Sequence, residues 1–175
     1  FKVTGTEYVE PVEEYTYWTS EDFANSVIKV PSYGENKITT TNDMLGVDLS
    51  NDVSSGDFSY EASVAFKKQY KGDFTLKYTI EYLSTGNYDI RYLMLTVGDS
   101  YALMLCPYNA DVQLLASTTY DTARKASVGL TANVAEYSIK RIGDKLYFYV
   151  NGNQLGDPQD YTDELVSFGV KAHRV

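Results

Sequence analysis

One cysteine, one histidine and one tryptophan occur in 175 residues. A lone Cys106 cannot close an internal disulfide, so cysteine usage leaves the redox compartment open. His173 alone excludes multi-histidine zinc sites, and the single cysteine excludes Cys-rich ones. A Ser-His-Asp triad would have to use His173, yet the chain has no Gly-x-Ser-x-Gly elbow. His173 is therefore expected at the surface, and Cys106, on an apolar stretch before Pro107, as a small buried hydrophobe. No phosphate loop or dinucleotide fingerprint is present. No apolar run approaches the roughly 20 residues that cross a bilayer as a helix, so membrane insertion is not expected. The chain opens at Phe1 with neither an initiator Met nor a signal peptide, as expected of a trimmed or mature chain. Basic residues are also scarce, 15 against 24 acidic, for a formal charge of -9. Such a charge repels phosphate backbones and anionic lipid, and nucleic acid is not an expected partner.

Tyrosine is what the chain has in quantity, 17 residues. Together with few helix-forming runs this is the composition of half-exposed β-sheet, where Tyr packs its ring and hydrates its hydroxyl. The length suits one domain with one full core. That domain is expected to span 1–175, with 1–57 an acidic, irregular wrapping part and 58–175 carrying the core strands. Within the first part, short strands are expected near Tyr15 to Thr19 and Ser26 to Val30, a helical turn at Glu21 to Ala24, and turns at 33–36 and Asn42-Asp43.

The clearest signal runs from Tyr137 to Gly156. Gly143-Asp144 and Asn151-Gly152 each interrupt an alternating apolar pattern, and such dipeptides accept the positive φ of two-residue hairpin turns. With two-residue loops, Tyr137 faces Val150, Ile139 faces Phe148, and Phe148 faces Leu155 on the core side. Ser138, Lys140, Tyr147 and Tyr149 then occupy the reverse face. A second hairpin, Ile90 to Cys106, aligns its apolar sets only if Gly98 to Ser100 is a three-residue loop, pairing Val97 with Tyr101, Leu95 with Leu103 and Leu93 with Leu105. Its reverse face, Tyr92 opposite Cys106 and Met94 opposite Met104, is apolar as well, so these strands are expected to be covered on both sides, by the N-terminal segment or by a partner. Further strands are expected from 58 to 66, Leu76 to Leu83, Val112 to Thr118 and Val166 to Ala172. Many strands without helical interludes indicate an all-β antiparallel sandwich, of jelly-roll type.

The combination of Gly72-Asp73-Phe74-Thr75-Leu76, Tyr101-Ala102-Leu103-Met104-Leu105, Leu146 to Gly152 and a closing Phe168-Gly169-Val170 resembles the concanavalin A-like lectin and glucanase superfamily, with its laminin-G-like members nearest. The resemblance covers roughly 56–175 and implies two stacked antiparallel sheets, in a superfamily of sugar-binding modules, adhesion domains and glycoside hydrolases. The hydrolase branch with this motif carries a Glu-x-Asp-x-x-Glu strand, which this chain lacks. Glu61, Glu81 and Asp89 stand singly, whereas glycoside hydrolysis needs two carboxylates flanking one bond. The resemblance also leaves room for calcium at a loop rim, with Asn109-Ala110-Asp111 and Asp99 as the best oxygen clusters, although no dense acidic run supports an ion and no other cofactor is expected.

A glycan or polysaccharide ligand needs flat aromatic faces beside planar polar groups. Tyr88, Asp89, Arg91 and Tyr92 supply that mixture, as do Tyr108, Asn109 and Asp111 at the same end of the strand pair, with Trp18 a further candidate. The expected function is a non-catalytic, secreted or cell-surface carbohydrate-binding module. A glycoside hydrolase and a protein-binding adhesion or assembly domain are the alternatives; the oligomeric state is left open.

Overall fold

The structure, a computed structural model, describes residues 28–29, 37–41, 44–48, 60–81, 90–119, 123–132 and 134–174, with side chains described from residue 63 onward except at 90, 91, 108, 173 and 174. The strands are β1 (Ile28–Lys29), β2 (Lys37–Thr41), β3 (Met44–Asp48), β4 (Tyr60–Lys71), β5 (Phe74–Glu81), β6 (Ile90–Val97), β7 (Tyr101–Cys106), β8 (Asp111–Leu115), β9 (Arg124–Gly129), β10 (Val134–Ile142), β11 (Lys145–Val150), β12 (Asn153–Gln154), β13 (Gln159–Asp160) and β14 (Leu165–Arg174). They form a seven-stranded sheet in the order β1-β4-β14-β6-β7-β8-β9, a second sheet in the order β12-β11-β10-β5 with β13 joined to β11, and a separate β2-β3 hairpin. All pairings are antiparallel.

Register follows the apolar pattern. The β10-β11 ladder pairs Tyr137 with Val150, Ile139 with Phe148 and Ile142 with Lys145, and β11-β12 pairs Val150 with Asn153. Leu155 donates its N–H to the Phe148 carbonyl at 2.7 Å, extending that register one residue beyond β12. Asn151 and Gly152 both have positive φ, 49° and 78°, as the two-residue turn requires. In the β6-β7 hairpin the three-residue loop pairs Val97 with Tyr101, Leu95 with Leu103 and Leu93 with Leu105.

Period-2 alternation turns one face of each sheet inward. Val64, Leu95, Leu103, Val112, Leu114 and Phe168 from the large sheet meet Tyr137, Ile139, Leu146, Phe148 and Val150 from the small one in a single buried cluster. The other face of β6-β8 is closed too: Tyr92, Met94, Ala102, Met104, Cys106 and Leu115 form a second buried cluster, with Met94 0% and Met104 1% exposed. These side chains are buried within the one chain, as the expectation of strands covered on both sides requires. Cys106 is buried among these side chains, as its sequence context predicts.

One end of the sandwich is tied by buried polar contacts. Arg141 continues the inward-facing parity of Tyr137 and Ile139 and is only 5% exposed. Its guanidinium donates to the carbonyls of Gly143, Glu164 and Asp163 at 3.0, 3.1 and 2.6 Å, and lies 5.3 Å from the centroid of the Tyr161 ring. Tyr161 in turn donates its hydroxyl to the Leu165 carbonyl at 3.2 Å and its N–H to the Asp144 carbonyl at 2.8 Å. Gly98, at φ +55°, packs directly under that tyrosine.

Three differences from the sequence expectations stand out. β9 has no counterpart among the expected strands, because Arg124 to Gly129 is an edge strand exposed along most of its length and has little apolar alternation to reveal it. β8 stops at Leu115 rather than Thr118, where polar residues 117–119 leave the ladder, Ser117 and Thr119 bonding each other. β4 runs on to Lys71, five residues past Phe66, because beyond an irregularity opposite Phe168 its residues Gln69, Tyr70 and Lys71 pair with Ser167, Val166 and Leu165 of β14. In the first part of the chain, β1 falls within the expected 26–30 stretch, and Thr41 pairs with Met44 across the expected Asn42-Asp43 turn. The pieces expected at 15–19, 21–24 and 33–36 lie outside the described residues.

Candidate functional site

The strand-end residues expected to hold a ligand are only partly brought together. β7 ends in a 3-10 turn, Pro107–Asn109, whose Ala110 adopts a left-handed backbone and donates its N–H to the Pro107 carbonyl at 3.1 Å. Asn109 is exposed there, and Asp111 accepts the Gln113 side-chain amide at 3.1 and 3.4 Å. Tyr92 is 7% exposed and lies in the buried cluster with Met94 and Met104, on the reverse face expected to be covered, a position that fits packing and not its expected ligand contact. Arg91 and Tyr108 lie on described backbone, at the start of β6 and in the 3-10 turn, with side chains outside the described set. Trp18, Tyr88 and Asp89 lie outside the described residues. Asp99 sits in the β6-β7 turn, at the opposite end of β7 from Asn109 and Asp111. Six residues of strand separate the two oxygen clusters, roughly 17–20 Å, so they cannot share one ion. Among the described residues no group of three or more His, Cys, Asp or Glu side chains could hold a metal.

The outward face of the small sheet is better furnished. β5, β10 and β11 pair so that Thr75, Lys140 and Tyr147 form one outward row, and Lys77, Ser138, Tyr149 and Gln154 the next. Tyr147 and Tyr149 are half-buried, two residues apart on one strand, and about 7 Å separates such neighbours along a sheet. Lys140 places its ammonium 5.2 Å from the centroid of the Tyr149 ring. Gln154, at the end of the second row, also lines an open groove of about 160 Å³ at the edge of the sandwich, between β9 and the β11-β12 turn. Its apolar lining comes from Val128, Leu130, Val150 and Leu155, and its amides from Asn151, Asn153 and Gln154. Asn151 is held by two contacts, its Oδ1 accepting the Glu136 N–H at 2.9 Å and its own N–H reaching the Glu136 carbonyl at 2.8 Å. The Asn153 and Gln154 amides each donate to a carbonyl two residues away, at 3.3 and 2.9 Å, which orients them along the rim. A tyrosine shelf ending in planar amides over an apolar floor can stack one sugar face and bind its hydroxyls.

The sequence places Tyr147 and Tyr149 on the reverse face of their strand without identifying them as a site. What it cannot show is the groove, since β9, one of its walls, carries no strand signal. Elsewhere on this face the Lys145 ammonium is held above its ordinary range by the hydrogen-bonded Asp160 carboxylate, with which it forms an exposed ion pair. Glu81 is exposed at the end of β5, a diagonal neighbour of Glu136 across the β5-β10 ladder, where Cα atoms lie about 7–8 Å apart.

Behind the shelf, Tyr78 and Tyr137 pair across β5-β10 and stack with ring centroids 5.1 Å apart and planes 8° from parallel. Both hydroxyls are buried without a hydrogen-bond partner, and burial pushes both phenols above their ordinary range. A buried, unbonded hydroxyl costs about 1–3 kcal/mol, so Tyr137→Phe is expected to leave stability unchanged or raise it by about 1 kcal/mol in urea denaturation. Folded-state pKa values raised in this way mean that the native state holds protons the unfolded chain releases above its own phenol pKa of about 10. Stability is therefore unaffected by these groups below about pH 9 and falls as pH rises through 10, a slope that Tyr137→Phe should reduce.

No protein-family model matches the sequence, and no curated protein sequence does. Solved structures match by fold. The exoplasmic/lumenal domain of VIP36 in a Ca2+/Man2-bound form superposes with a TM-score of 0.56 at 13% identity, over 85% of this chain and 77% of that one. The carbohydrate recognition domain of Emp46p, in a metal-free form, gives 0.53 at 8% identity over 89% and 83%. The carbohydrate-binding module CBM66 from Bacillus subtilis gives 0.50 at 14% identity over 67% and 81%. The chain thus has the concanavalin A-like lectin fold, an all-β sandwich of two antiparallel sheets. Its laminin-G-like resemblance rests on the sequence alone.

Proposed function

We propose that this chain is a non-catalytic carbohydrate-binding module that works outside the cytoplasm, with residues 1–175 forming one domain. The observation that carries the reading is the Tyr147-Tyr149 shelf leading into the amide-lined groove. The fold supports it, being shared with the exoplasmic/lumenal domain of VIP36, with the carbohydrate recognition domain of Emp46p and with a carbohydrate-binding module. Binding would be by ring stacking and hydrogen bonding to hydroxyls, with no bond broken. The strand-end set of Trp18, Tyr88, Asp89, Arg91, Tyr108, Asn109 and Asp111 is the competing location, kept open by the exposed Asn109 beside Asp111.

Affinity electrophoresis against a panel of polysaccharides tests the function. Retardation is expected, and Tyr147→Ala should weaken it about tenfold while changing stability by less than about 1 kcal/mol, since the ring is only half-buried. Retardation insensitive to Tyr147→Ala but lost with Asn109→Ala would move the site to the strand ends. The hydrolase alternative has its own test: sugar release abolished by Glu81→Gln or Glu136→Gln would overturn the non-catalytic reading.

A further inference from the structure

The tyrosine shelf is not bare. Lys140 faces Tyr147 across the β10-β11 ladder while its ammonium lies over the ring of Tyr149. Lys140 is not among the described ion pairs, unlike Lys145 on the same face, which is paired with Asp160. Lys140 thus lies within the aromatic surface itself, with no carboxylate partner among the described residues. A neutral pyranose settling on Tyr149 would have to displace the ammonium from the ring. A sugar carrying an anionic group would keep the ammonium in use, as the partner of that group beside the ring. Directly opposite Lys140 on β5 is the neutral, exposed Thr75, which offers a hydroxyl to the same ligand; the next outward residue of β10 is the buried Ser138, and Lys77, diagonally across on β5, adds a second positive charge to the face. The nearest acidic side chain along its own face of β10, Glu136, lies four residues away on the groove side, beside Asn151.

We propose that the shelf selects anionic glycans, those bearing a carboxylate or sulfate on the sugar ring, and that Lys140 is the residue setting this preference. The inference rests on the carbohydrate-binding reading of the same face. Lysine presents a compact point charge without the planar fork that fits a carboxylate, so both anion types are admitted.

Isothermal titration of the whole chain with polygalacturonate, a sulfated galactan and a neutral β-glucan, at low and high salt, separates the possibilities. Tighter binding of one or both anionic polymers is expected, weakening as salt rises. Lys140→Gln should lower anionic affinity about fivefold, the scale of one exposed charge pair, and leave β-glucan affinity unchanged or raised. Lys140→Arg should restore most of the loss. Polygalacturonate binding alone would assign the preference to carboxylates, and sulfated galactan binding alone to sulfates. Equal affinity for all three polymers, or an anionic preference untouched by Lys140→Gln, would overturn the assignment to Lys140 while leaving the glycan reading intact. No binding to any polymer would remove the glycan reading, and the selectivity with it.

Discussion

Gly98→Ala is expected to destabilise the fold by about 2–5 kcal/mol, through two effects that add at one atom. The backbone at +55° lies in the left-handed region, where a Cβ costs about 1–2 kcal/mol. That Cβ would also clash with the Tyr161 hydroxyl and come within 3.2 Å of its ring carbons. Overpacking of this kind costs about 1–3 kcal/mol. Tyr161 is 4% exposed and bonded to the Leu165 carbonyl, so moving aside means giving up a buried hydrogen bond. Gly98 also donates its N–H to the Ser167 carbonyl at 2.7 Å, which fixes the turn against the start of β14. Urea denaturation should show a lowered midpoint with an unchanged slope. A loss below about 1 kcal/mol would mean that the turn relaxes freely and that Tyr161 is not wedged over it.

Arg141→Met is expected to cost about 2–4 kcal/mol. The substitution keeps an unbranched apolar stem but removes three hydrogen bonds from a charged donor and the cation–π contact to Tyr161. The Gly143, Asp163 and Glu164 residues are exposed, so water can recover part of the loss, which keeps the figure below the sum of three charged bonds. Arg141→Lys should recover little, because one ammonium cannot reproduce the planar fork that spans the three carbonyls. Amide exchange at 163–165 should accelerate more than exchange in β7. Since Arg141 and Gly98 both act through Tyr161, the double variant should fall short of the sum of the two single losses.

How much of this was legible in the sequence differs from element to element. Tyr137 to Leu155 and Leu93 to Leu105 were readable in register because apolar alternation and turn chemistry point to the same pairing, and a one-residue slip would have set the apolar sets of paired strands on opposite faces. The doubly apolar face of β6-β7 was readable as covered, and the structure buries it. Arg141 was invisible because a charged residue at a core parity looks like a break in the pattern until the loop that supplies its carbonyl partners is placed beside it. β9 was invisible because an exposed edge strand has no buried face to impose a period. Tyr92 was assigned by register to the covered reverse face and by its strand-end context to a ligand contact, and its burial follows the register. The tyrosine shelf was half legible: the parity of Tyr147 and Tyr149 was clear, but the groove next to them is built from two segments, 128–130 and 150–155, distant in sequence.

The location of glycan binding is the central claim, and amide chemical-shift mapping during titration with an oligosaccharide tests it most directly. Shifts concentrated at Lys140, Tyr147, Tyr149 and 151–155 are predicted, with residues 107–113 and the 161–165 end of the sandwich unaffected. Shifts confined to 107–113, or none at saturating sugar, would contradict it.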